Sequence, residues 1–72
     1  MRFRVYSFRG YEDYVFYDFA YGAAIKLIDG VKADGFSEEY WWACIEDTHK
    51  GVKMIVWLRG NYSYMKTQWL KL

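Results

Sequence analysis

The chain opens on an alternation of polar and apolar side chains. Residues 2–9, Arg-Phe-Arg-Val-Tyr-Ser-Phe-Arg, are rich in β-branched and aromatic types at the two-residue period of a half-buried strand. Gly10 breaks the pattern. Residues 13–17, Asp-Tyr-Val-Phe-Tyr, then predict a short second strand reached by a hairpin through Arg9 to Glu12, the alternative being a helix that begins near Tyr11. Asp18 supplies a carboxylate able to accept the orphan N–H groups of a helix start. From there Ala20, Ala24, Leu27, Ile28 and Val31 fall on one stripe at about 100° per residue, with Gly22, Lys26, Asp29 and Ala33 opposite. The spacing predicts an amphipathic helix of about 11–14 residues ending at Gly30 or Gly35.

The rest reads as strand: residues 38–46, 52–59 and 62–70. A polar turn, Asp47-Thr48-His49-Lys50-Gly51, joins the first pair, and Gly60-Asn61 joins the second as a two-residue hairpin signal. The order β-β-α-β-β-β predicts an α+β fold. It is a small single domain over residues 1–72, a mostly antiparallel twisted sheet with one helix on one face.

A true two-residue turn at Gly60-Asn61 places Arg59 opposite Tyr62, and counting back pairs Val56 with Met65, Met54 with Thr67 and Val52 with Trp69. That face is largely apolar and suits the helix. The other pairs Arg59 with Tyr62, Trp57 with Tyr64, Ile55 with Lys66 and Lys53 with Gln68. Residues 38–46 are apolar on both faces, so either Trp41 or Trp42 joins the second face. Five strands at about 4.8 Å span roughly 20–24 Å, whereas one helix is about 10–12 Å across. The helix therefore leaves the second face bare, and the sheet must curl, pair with another copy or meet a partner.

Composition narrows the classes. The 72 residues are 54% hydrophobic, with 5 Phe, 4 Trp and 8 Tyr, so disorder is excluded. One cysteine allows no internal disulfide, and Cys44 with His49 falls short of a zinc ligand set. The sequence leads us to expect no cofactor. No apolar run reaches the ~18 residues of a membrane span, and residues 1–4 lack the apolar core of a signal peptide. A lone thiol suits a reducing cytosol.

Charge is segregated beneath a net +1: residues 1–10 hold three arginines and no acid, residues 11–47 balance to −7, and residues 48–72 to +5. Either the ends lie beside the middle and pair with it, or the last hairpin presents a basic, aromatic face extended by Arg2 and Arg4. Such a face equips a protein interface, or less readily a site for single-stranded nucleic acid. Low net charge disfavours the latter.

Catalytic candidates are thin. Cys44 reads as a buried, inert strand residue and His49 as a solvated turn residue, too far apart for a nucleophile and its base. Glu38-Glu39 and Glu46-Asp47 read as solvated strand ends whose neighbours point to opposite faces. Glu12, Asp13 and Asp18 match no calcium loop. On the helix, Gly22 and Ala23 leave a flat patch beside Tyr21 and Ile25. The sequence thus predicts a cytoplasmic, non-catalytic protein-binding module, an inhibitor or accessory factor of phage or mobile-element type acting on a host enzyme or defence complex. Trp41, Trp42, Lys53, Trp57, Arg59, Tyr62, Tyr64 and Lys66 form its expected docking face. A homodimer through that face and a nucleic-acid-binding module are the alternatives.

Overall fold

The computed structural model describes the backbone of residues 1–59 and 61–71, and the side chains of residues 1–54 and of Val56. Strands β1 (Phe3–Ser7) and β2 (Gly10–Tyr14) precede helix α1 (Tyr17–Ala33); a 3-10 turn at Glu38–Tyr40 leads into β3 (Trp42–Asp47), β4 (Val52–Arg59) and β5 (Asn61–Lys71). The strands lie in the order β2-β1-β3-β4-β5, each antiparallel to its neighbours. This is the expected α+β architecture, with the helix laid over β1 and β3 and reaching β2.

Alternation in the strands decides what the helix covers. Phe3 and Val5 on β1, Ala43 and Ile45 on β3, and Met54 and Val56 on β4 are buried against Ala20, Ala24 and Ile28 of α1. The helix stripe is the one the spacing predicts, except that Leu27 is only half-buried, while Gly22, Lys26, Asp29 and Ala33 face solvent. Alanines at Ala20, Ala24 and Ala43 bring helix and sheet close. The larger Ile28 and Ile45, both fully buried, contribute roughly 1.5–3 kcal/mol each by leaving water. Tyr17 closes one end, its ring edge-on to Phe3 at 5.8 Å and its hydroxyl 3.5 Å from Met54 Sδ.

Several boundaries differ from expectation. The first hairpin turns at Phe8-Arg9 instead of Arg9–Glu12, because Gly10, at φ +130°, begins β2 by pairing with Ser7. Ser7 Oγ accepts the Arg9 N–H at 3.2 Å and so fastens the turn. The helix starts at Tyr17 after an extended Phe16 that makes no side-chain cap, so Asp18 is not the cap residue. It lies in the first turn, where its charge favours the helix dipole. The helix runs 17 residues, past Gly30. It ends where Gly35, at φ +86°, adopts the left-handed conformation: the Gly35 N–H reaches Lys32 O at 3.1 Å and the Phe36 N–H reaches Val31 O at 3.3 Å, a Schellman termination.

Strand β3 begins at Trp42, not at residue 38, since Glu38–Tyr40 wind into the 3-10 turn. In the last hairpin Met54 pairs with Trp69 and Val56 with Thr67, two residues beyond the expected partners, and the register shifts between Trp57 and Arg59. An even displacement preserves the alternation of the pairing. The Gly60 half of the expected turn lies outside the described residues.

Candidate docking face

The open side of the sheet is built by the residues that alternate with the core positions. On β1 these are Arg4 and Tyr6, on β3 Trp42, Cys44 and Glu46, and on β4 Lys53; all six are half-buried although no helix lies over them. On β2, Tyr11 and Asp13 register beside Tyr6 and Arg4. The end strands β2 and β5 do not pair with each other, so the sheet does not close.

The side chains lie over one another. The Arg4 guanidinium donates Nε to Asp13 Oδ1 at 2.7 Å and Nη2 to Oδ2 at 3.1 Å, and sits 4.2 Å from the centre of the Tyr11 ring. That fork holds the Asp13 carboxyl below the usual carboxylate range. Tyr6 and Tyr11 rings are 5.9 Å apart. The Tyr6 hydroxyl donates to Glu46 Oε1 at 2.8 Å, which raises the phenol's pKa. Lys53 registers opposite Glu46 and places its ammonium 5.4 Å from the Tyr6 ring centre. The result is an aromatic strip with two cations and two acids braced across it.

The expected site residues distribute unevenly. Trp42 and Lys53 are on this face. Trp41 is not: it follows the 3-10 turn, packs against the core, and donates Nε1–H to Phe36 O at 2.8 Å. Trp57 registers between Trp42 and Lys66 along the backbone. The side chains of Trp57, Arg59, Tyr62, Tyr64 and Lys66 lie outside the described ones. The face also holds Tyr6 and Tyr11, which the sequence does not single out, and Asp13 and Glu46, which the sequence presents only as an acid matching no calcium loop and as a solvated strand end. The alternation of β1 already set Tyr6 opposite Phe3 and Val5, but Tyr11 and Asp13 needed the correct turn.

The positive charge of residues 1–10 resolves into pairing. Each of the three arginines of residues 1–10 meets an acid of the middle segment: Arg2 with Asp47, Arg4 with Asp13 and Arg9 with Asp34. Asp47 is no solvated strand end. It is 4% exposed, takes both Arg2 Nε at 3.0 Å and Nη2 at 2.9 Å, and accepts the N–H groups of His49 and Lys50. These donors, Arg2 first, hold its carboxyl at about 2.

Cys44 is half-buried, and burial pushes its thiol up, the wrong direction for a nucleophile. His49 is exposed in the turn past the end of β3. Among the described residues no group of three His, Cys, Asp or Glu could hold a metal, and no helix is long and apolar enough to cross a membrane. No family model, curated protein or solved structure matches this chain.

Proposed function

We propose that this chain is a small non-catalytic module that docks on a protein partner through the open face of its sheet, acting as an inhibitor or accessory factor. The observation that carries this reading is a helix-free sheet face whose aromatic strip is already ordered by its own charges. Rigid aromatic rings with few rotamers to lose, flanked by paired charges, suit a protein interface. The same pairing weighs against nucleic acid. Arg4 is engaged by Asp13, and Lys53 faces Glu46. The described part of the face thus offers phosphate no uncompensated positive field.

The test is affinity capture from a cell extract with the wild-type chain and with Trp42→Ala and Tyr6→Ala, each checked for retained helix by circular dichroism. The reading expects a protein captured by the wild type and lost from both folded variants. Capture that is indifferent to both variants, or that nuclease treatment removes, sinks it.

A further inference from the structure

Strand β2 pairs only with β1. One row of its backbone N–H and C=O groups is consequently unpaired, a template for another strand. The chain leaves this edge through three exposed apolar residues: Val15 is 54%, Phe16 62% and Phe19 65% exposed. The Phe16 and Phe19 rings meet edge-on at 5.8 Å. Single exposed apolar side chains are ordinary, but a group beside an open edge marks a contact surface.

A groove of about 370 Å³ adjoins the group, lined by Tyr14, Asp18, Phe19, Gly22, Ala23 and Lys26. Tyr14 belongs both to β2 and to the groove, so edge and groove are one surface. A Cβ built on Gly22 would meet nothing within 4 Å, which makes the missing side chain part of the groove and not a packing necessity.

Charge selects the occupant. Asp13 is held by Arg4; Lys26, which lines the groove, is matched in number by Asp29 three residues on, although no ion pair joins the two among the described residues. Glu12 and Asp18 remain, and neither enters an ion pair among the described residues. A second copy offering its own β2 would set acid against acid.

We propose that the β2 edge and its groove bind an extended basic segment of a partner protein, which adds as a strand and seats an apolar side chain over Gly22. None of the groove residues belongs to the open face described above, although β2 itself also carries Tyr11 and Asp13 of that face; a change at Gly22 leaves the open face untouched and so separates this inference from the proposed function.

The experiment titrates the full chain into a fluorescent peptide of about six residues alternating lysine with valine. Two controls accompany it, one with glutamate for lysine and one N-methylated on alternate backbone amides. The proposal expects saturable binding of the lysine peptide and at least about tenfold weaker binding of both controls. Gly22→Leu and Glu12→Lys should each weaken it by a similar factor. Because leucine is the better helix former, Gly22→Leu should keep or raise the melting temperature, so a loss of binding is not a loss of fold. No saturable binding, equal binding of the N-methylated peptide, or unchanged binding by Gly22→Leu overturns the proposal.

Discussion

Asp47 shows what one side chain can contribute from a position that reads as an ordinary turn. Its ionised form is the one the fold favours, through Arg2 and the N–H groups of His49 and Lys50. Its pKa is lowered to about 2, against about 3.9 in an unfolded chain. The associated stability is therefore fully present above pH ~4 and drains away as pH falls toward 2. Thermal melts between neutral and acid pH should show this decline, and Asp47→Asn should lower the neutral melting temperature while flattening the acid limb. An unchanged acid limb in that variant would assign the decline elsewhere. Ile45, fully buried at the centre of the core, is the apolar counterpart: Ile45→Ala should cost about 2–5 kcal/mol in urea unfolding. Alternation groups Ile45 with Trp41 and Ala43 but, in a strand apolar on both faces, does not say that this set turns to the helix. The sequence hid Asp47, whose partner is 45 positions away, so the acid looked solvated.

Helix α1 was legible because its stripe repeats over several turns, whereas its ends depend on single backbone conformations. Asp18 looked like a cap since acids are good caps, yet the extended residue that precedes the helix is Phe16. Gly22 inside the helix and Gly35 just past its end make a direct comparison. Gly35→Ala places a Cβ at φ +86° and should destabilise by about 1–2 kcal/mol. Gly22→Ala sits in the exposed helix interior with open space around it, and should stabilise by about 0.5–1 kcal/mol. Urea denaturation of both variants should move the midpoint in opposite directions; a shared direction would mean that Gly35 does not terminate the helix as described. Among the strands, β3 was misjudged at its start because an apolar run from Tyr40 onward carries no signal for a 3-10 turn. The last hairpin was misjudged in register because the irregularity between Trp57 and Arg59 displaces every pair before it.

For the whole molecule, the covering argument held over the described residues: the helix lies over β1 and β3 and reaches β2, and the described side chains on the opposite side are braced by their own charges. That the basic start of the chain pairs with its acidic middle is one of the two alternatives the charge pattern offers, but which side chains meet needs the β1–β2 and β1–β3 registers together. Protection from hydrogen exchange should follow the layering. Amides of β1 and β3, flanked on both sides and overlaid by α1, should exchange slowest, and those of the end strand β2 faster. Slower exchange in β2 than in β3 would contradict that strand order.

The place of β1 between β2 and β3 also sets how the chain must fold. The β1–β2 hairpin is local, but the β1–β3 ladder joins Phe3 to Asp47, and closing so long a loop costs chain entropy before the ladder returns any of it. With no proline in the sequence, no isomerisation step competes for the slow phase. Refolding should thus be governed by that one long-range closure, with the hairpin and helix flickering in and out beforehand. During synthesis β1 has no inner neighbour until β3 has been made, so a single exposed strand edge waits through the assembly of half the molecule.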